Sequence, residues 1–315
     1  MAIYENVAEF AGRAAVDWEP QGGLSDPAAT ACRISVNWEE TDAGQTWTDR
    51  FAAFLDDPGV AEVEALIVGS WAGGPSERGS EAAEEAVQAL VAARDRLPRL
   101  TALFFGDITS EECEISWIEQ TDVNALFAAY PELQHFRVRG GQGLSLGQLQ
   151  HAQLRHLAIE TGGISRQAYH QAVRAQLPQL EHLELWLGDA GYGAEVEIAD
   201  LDFLLSGVAF PKLTYLGLRD SEMADQVAAA VAGSPLLGRL QVLDLSLGNL
   251  SDVGAAALAE APAVRNLSRL DIHHHYCSAA MVQRLEALEI EVDASDAQAG
   301  DEGNTGDDRY VAVSE

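Results

Sequence analysis

The sequence predicts an α/β solenoid with a parallel sheet on its concave side and helices on its convex side, a horseshoe in outline. A hexad with apolar first, fourth and sixth positions recurs along the chain. Apolar runs at helical spacing follow such hexads after short loops, and "LQVLDLSLGNLSDVGAAALAE" (240–260) shows both periods side by side. A strand repeats its faces every two residues and a helix about every 3.6, so a switch between the two marks a strand-to-helix unit.

The chain opens with a segment read as an amino-terminal cap, residues 1–59. Within it "CRISVNW" (32–38) alternates as a strand, and "WTDRFAAFL" sets Trp47, Phe51, Phe54 and Leu55 at helical spacing. The stretch from Gly22 to Pro27 reads as a loop. A cap is needed because the end repeats of a solenoid have open apolar faces to hide. The solenoid is assigned to residues 60–292, as about eight repeats. Its hexads are "VEALIV" (63–68), "LTALFF" (100–105), "LQHFRV" (133–138), "LRHLAI" (154–159), "LEHLEL" (180–185), "LTYLGL" (213–218), "LQVLDL" (240–245) and "LSRLDI" (267–272). From Leu100 onward the first positions lie 33, 21, 26, 33, 27 and 27 residues apart. One hexad fits a stray strand or helix; eight in series specify a repeated supersecondary unit.

Each strand is expected to bury its fourth and sixth residues, such as Leu243 and Leu245, beneath the helix that follows. In "SDVGAAALAEAP" the small side chains of Ala255, Ala256, Ala257 and Ala259 allow close helix packing, with Ser251 or Asp252 as the cap and Pro262 as the stop. In "SEAAEEAVQALVAARDRLP" a stripe of Ala83, Ala86, Val87, Leu90 and Val91 follows a capping Ser80. At the far end "AMVQRLEALEIEVDAS" reads as a last helix and a short strand carrying Ile290 and Val292. Residues 293–315 form an acidic tail, of which "DASDAQAGDEGNTGDD" (293–308) is expected to be disordered. Its closing "RYVAVSE" either docks back through Tyr310, Val311 and Val313, stays loose, or serves as a linear motif.

On these hexads and spacings the chain resembles the leucine-rich-repeat proteins, particularly the ribonuclease-inhibitor-like type with a helix after each strand. It departs from that family at the position three residues past the sixth. The usual asparagine is replaced by Ile108, Gly141, Gly162, Gly188, Ser221, Gly248 and His275, although Asn249 sits one step later. An asparagine ladder therefore cannot hold the turns in the usual way, and glycine is expected to tighten them. "GDITSEECEISWI", "LDLSLGNLSDVGAAAL" and "RYVAVSE" also resemble a bacterial cytoplasmic subfamily of these proteins. That resemblance implies little chemistry beyond a partner enzyme encoded nearby, of radical-SAM or ATP-grasp type.

The chain carries 50 acidic and 19 basic residues, a formal charge of −31, and its one lysine is Lys212. Like charges repel, so nucleic acid and anionic membrane are excluded as partners, and a protein with a basic surface is favoured. Three widely spaced cysteines, Cys32, Cys113 and Cys277, fit a reducing compartment. Neither a signal-like amino terminus nor an apolar run of membrane-spanning length occurs, so a cytoplasmic protein is expected. The glycine-rich "GGQGLSLGQ" (140–148) contains a G-x-S-x-G string but lies between repeats and has no lysine to meet a phosphate. There is no phosphate loop, dinucleotide glycine motif or H-E-x-x-H, and the chain is read as a non-enzyme without cofactor or metal.

Insertions follow three strands: "GSWAGGPSERGS" (69–80), "GDITSEECEISWIEQ" (106–120) and "GDAGYGAEVEIAD" (188–200), the last carrying Tyr192. All three are expected along one edge of the sheet, where loops on a rigid scaffold favour recognition. The second gathers Asp107, Glu111, Glu112 and Glu114, with Trp117 as an apolar anchor or as core. Its spacing lacks the calcium-loop pattern and favours an acidic patch for an arginine-rich partner. The third, fifth, seventh and eighth positions of each repeat are expected to face the concave side. They align His135, His156, His182 and Tyr215 in one column and Phe104, Arg137, Ala158, Glu184, Gly217 and Asp244 in the next. A third holds Arg139, Glu160, Trp186, Arg219, Ser246 and His273. The mixture of aromatic, arginine and acidic groups reads as a protein-binding face; the competing reading is a solvated sheet whose neighbours pair their charges. The histidine column also raises the alternative of a metal-dependent or small-molecule enzyme, although ligands must converge on a point rather than form a row.

Overall fold

The computed structural model describes residues 3–72, 79–299 and 309–314. The chain divides into two compact units, Ala2–Glu160 with Ala175–Gln179, and Thr161–Arg174 with Leu180–Ser314. Within each unit the strands follow in the sheet the order of the sequence, which gives the expected α/β class. The first unit holds β1 (Glu9–Phe10), β2 (Arg13–Asp17), β3 (Thr30–Ile34), β4 (Ala65–Val68), β5 (Ala102–Phe105), β6 (His135–Arg139) and β7 (His156–Glu160). The second holds β8 (His182–Gly188), β9 (Tyr215–Ser221), β10 (Val242–Asp244), β11 (Arg269–Asp271) and β12 (Glu291–Asp293). β1 pairs with β2 antiparallel, while β2 to β7 and β8 to β12 pair in parallel.

All eight hexads are strands, and their registers match repeat for repeat. Leu66, Leu103, Phe136 and Leu157 align in the first unit, and Leu183, Leu216, Leu243, Leu270 and Val292 in the second. Fourth and sixth positions of every hexad are at most 1% exposed. Burying a side chain of that size stabilises by about 1.5–3 kcal/mol, so this double row is the main stabilising element of each repeat.

Nine helices join the described strands: α1 (Trp38–Asp42), α2 (Trp47–Leu55), α3 (Gly79–Ala92), α4 (Asn124–Ala129), α5 (Arg166–Val173), α6 (Asp202–Leu205), α7 (Ala224–Ala232), α8 (Asp252–Glu260) and α9 (Ala279–Glu286). α2 begins where expected, with Thr46 and Asp49 forming a reciprocal capping box. The strand in "CRISVNW" stops at Ile34, because Asn37 turns to cap α1 by accepting from the Glu40 N–H at 2.9 Å. Ser80 lies inside α3 rather than capping it, and its N–H donates to the Glu119 carboxylate at 2.8 Å. Ser251 caps α8 as read, its hydroxyl accepting from the Val253 N–H at 3.2 Å. The alanines of α8 matter less than Gly254: a Cβ there would lie 2.7 Å from the Asp225 Cα of α7. No helix among the described residues is long and apolar enough to cross a membrane.

Side chains hold several of the turns after the strands. Asn249 accepts from the Ala224 N–H at 3.3 Å and donates to the Glu222 carbonyl at 2.6 Å, doing for one turn what a full asparagine ladder does for many. The enclosed His275 accepts from the Cys277 N–H through Nδ1 and donates to the Ala294 carbonyl through Nε2, both at 3.0 Å. In the first unit His151 repeats the device, with the Gln153 N–H on Nδ1 and the Tyr130 carbonyl facing Nε2. The expected tightening by glycine holds at Gly188, whose φ is +77° and whose would-be Cβ would meet the Gly162 carbonyl oxygen at 2.0 Å. Gly141, Gly162 and Gly248 do not use left-handed backbone; Asp220 near the end of β9 and Leu247, His274 and Asp296 just after β10, β11 and β12 do, at matching places in the repeats.

Candidate functional site

On the first strands of the first unit the sheet face is apolar and covered. Ala31, Ala65, Ile67, Ala102 and Phe104 form a cluster with Phe10, and Val7, Ala11 and Ala15 pack against it. Phe104 is therefore enclosed, which corrects its place in an accessible binding column. The Arg137 and Arg139 guanidiniums stand 4.8 and 5.2 Å from its ring centre, within cation–π range. Arg139 donates to Glu160 at 2.8 Å and to Asp107 at 3.2 Å, Arg33 donates to Asp107 at 2.9 Å, and Arg137 pairs with Glu160. The amino-terminal segment closes the same group: Asn6 donates to the Asp107 carbonyl at 2.8 Å and the Val7 N–H faces its carboxylate.

Asp107 and Glu160 are 0% exposed and Arg139 is 2% exposed. Asp107 thus belongs to a buried ion network and not to the acidic loop patch, a second correction. Paired carboxylates and guanidiniums that satisfy one another leave no charge to offer a ligand, and breaking one such pair leaves a buried ion uncompensated. What remains accessible here is the half-buried row of His135, His156 and Arg137. The two imidazoles stack at 4.1 Å with 16° between planes, closer than the strand spacing of about 4.8 Å.

In the second unit the columns form one hydrogen-bonded cluster. Trp186 Nε1 and Arg219 both donate to Glu184 Oε1, at 2.7 and 2.8 Å. Arg219 also donates to Ser246 at 2.9 Å and lies 5.2 Å from the Trp186 ring centre. Tyr215 donates to Asp244 at 2.7 Å, and His182 stacks on its ring at 3.7 Å. Burial opposes the charge on Arg219, yet Glu184 and Asp244 together hold its proton more tightly than usual. Burial, then the same two carboxylates, raise the Tyr215 hydroxyl. Beside this cluster Asp271 accepts from Arg269 at 2.8 Å and meets His273 Nδ1 at 2.7 Å. Hydrogen bonds from His273 and Arg269 outweigh burial and hold the Asp271 carboxyl down at about 2; the Asp271 contact raises His273.

The ligand atoms of Asp271, His273 and Asp293 lie within 4.8 Å of one another, so these three could hold a metal ion. Arg269 already bridges Asp271 and Asp293 at 2.8 and 2.9 Å, and the second oxygens accept from His273 and from Ser295. A cation would have to displace a guanidinium. His135 and His156 present stacked rings instead of a convergent ligand set.

The first two insertions meet around a cavity of about 390 Å³ lined by Trp71, Ile108, Glu111, Cys113, Glu114 and Trp117 among others. Residues 73–78 of the first insertion lie outside the described residues. Glu111 and Glu114 are exposed, and Trp117, in the 3₁₀ turn Ile115–Trp117, is 60% exposed and so is not core. Glu112 is spent locally, accepting from the Thr109 N–H and hydroxyl at 2.8 and 3.0 Å. Burial, reinforced by Glu114 and Glu119, pushes the Cys113 thiol up to about 11, which keeps it protonated and a poor nucleophile at neutral pH. The third insertion folds as the 3₁₀ turns Ala190–Tyr192 and Ile198–Leu201, with Tyr192 half-buried.

No protein-family model matches the chain, and no curated protein matches it in sequence. Its structure is similar to the crystal structure of a Bacteroides fragilis protein, at 27% identity and a TM-score of 0.80, over 90% of this chain and 76% of that one. An internalin from Listeria monocytogenes also matches, at 13% identity over 81% of this chain and 57% of that one, with a TM-score of 0.36. Hexads paired strand to strand in parallel, with helices between them, fit the leucine-rich-repeat fold.

Proposed function

We propose that this chain is a non-enzymatic scaffold, of the ribonuclease-inhibitor-like leucine-rich-repeat type, that binds a partner protein. The binding surfaces are the open sheet face, taken as concave, and the acidic loop of residues 106–120. One observation carries the reading: half-buried side chains of the face are already locked by stacking and ion pairing, as in His182 on Tyr215 and Arg219 on the buried Glu184 and Trp186. Groups ordered before binding lose little further entropy when a partner arrives, which lowers the cost of forming an interface. Exposed Glu111 and Glu114 beside exposed Trp117 suit a partner with a basic surface. An enzyme encoded nearby in a bacterial cytoplasm is the partner this reading favours.

Purification from native extract is expected to recover a stoichiometric partner, and Glu111→Lys with Glu114→Lys to weaken its capture at least tenfold. Undiminished capture by that variant removes the loop from the interface. A metal-dependent site is the second reading, favoured by the convergence of Asp271, His273 and Asp293. Divalent cations that leave the melting temperature unchanged, with protein free of metal after purification without chelator, would count against it.

A further inference from the structure

Residues 309–314 cross the turns of the second unit as an extended segment that joins no strand. Val311, Ala312 and Val313 are buried, while Tyr310 points outward and is 68% exposed. The contacts are those of a bound peptide. The Val313 N–H donates to Asp220 Oδ1 at 2.9 Å and the Ala312 N–H to the Leu247 carbonyl at 2.7 Å. Tyr276 accepts from the Tyr310 N–H at 3.0 Å and donates to its carbonyl at 3.2 Å. Arg309 reaches the Asp225 carboxylate and the Asn249 carbonyl, both at 3.0 Å. Successive repeats thus each contribute a contact, and two of the contacting residues, Asp220 and Leu247, stand in left-handed backbone.

Asp220 is the telling residue. It is 0% exposed, and its Oδ2 has no hydrogen-bond partner among the described residues. Burial holds the carboxyl well above the usual range, against the pull of the Val313 N–H and of Arg219. A buried, half-satisfied carboxyl destabilises a fold unless something is gained from it. The partner its side chain meets is the main chain of the docked segment. Three small side chains and a few hydrogen bonds hold that segment, so it opens far more easily than the strands beneath it.

The geometry points to a peptide-recognition groove along these turns, filled in this chain by its own residues 309–314 and suited to an extended segment of a partner protein with the same order of side chains: arginine, an outward aromatic, then aliphatic, small, aliphatic. This goes beyond the sheet-face interface and does not depend on it. A fluorescent, end-blocked peptide "RYVAVS" is the probe. The full chain carrying Val311→Glu and Val313→Glu is expected to bind it saturably, and the unaltered chain at least tenfold more weakly, because its own segment competes. Adding Asp220→Ala to the released chain is expected to weaken binding at least tenfold. Amide exchange of Ala312 and Val313 in the unaltered chain is expected to outpace that of Leu243 and Leu270 at least a hundredfold. The proposal is overturned if the released chain keeps its circular dichroism and melting yet ignores the peptide, if both chains bind it equally, or if the Ala312 amide exchanges only with global unfolding, the behaviour of a fixed cap.

Discussion

A single contact, Asp271 Oδ1 to His273 Nδ1 at 2.7 Å, couples the sheet face of the second unit to pH. The raised His273 contributes stability that is complete below its ordinary value of 6.5 and is lost as pH climbs through the raised one. The lowered Asp271 contributes stability that is complete above its ordinary 3.8 and is lost as pH falls through about 2. The pair is therefore whole between the two ordinary values. A proton-detected titration of the ring is expected to place His273 above 6.5, and Asp271→Asn to return it toward that value; an unchanged midpoint in the variant would assign the shift elsewhere. Counting in twos aligns His273 in its column; Arg269, which completes the cluster, is the third residue of its hexad and continues the column of Tyr215 through Val242, but the spacing alone gives it no partner. Cross-strand pairing depends on rotamers that a spacing rule does not contain.

At the scale of elements, α7 and α8 meet at Gly254. Alanine is the better helix former by about 1 kcal/mol. At this position its Cβ would strike the Asp225 Cα at 2.7 Å and Leu250 Cδ1 at 2.8 Å, and the first of these is backbone that cannot swing aside. Overpacking of that kind costs about 1–3 kcal/mol, so the clash wins and Gly254→Ala is expected to lower the urea midpoint with an unchanged slope. A higher midpoint would mean that the helices separate freely. Hexads made the repeat strands legible because eight copies reinforce one another; α2 was legible from its spacing and α8 from its cap and spacing. β1 and β2 were not: "EF" is two residues long and "RAAVD" carries small side chains without the leucine pattern. The covered face they help to build was consequently taken for an open one. Phe104 and Asp107 were misplaced for the same reason, since their partners Val7 and Arg33 lie far away in sequence.

At the scale of the whole molecule, a formal charge of −31 on 315 residues means that acidic groups repel one another in the folded chain. Salt screens such repulsion over about 10 Å at 0.1 M. The melting temperature is therefore expected to rise between 10 and 200 mM sodium chloride, roughly, on the same screening argument, while affinity for a basic partner falls. Scanning calorimetry and a binding titration across that range would separate the two effects; a melting temperature that drops with salt would show that the buried and surface ion pairs outweigh the repulsion.

The enclosed carboxylate of Asp107 draws on Asn6, Val7, Arg33 and Arg139, places spread over more than a hundred residues. A ribosome delivers these groups one after another, and until Arg139 emerges, Asp107 has a single guanidinium to meet it. Asn6 and Val7 therefore have reason to stay undocked until β6 has formed, so the first unit closes late rather than growing repeat by repeat.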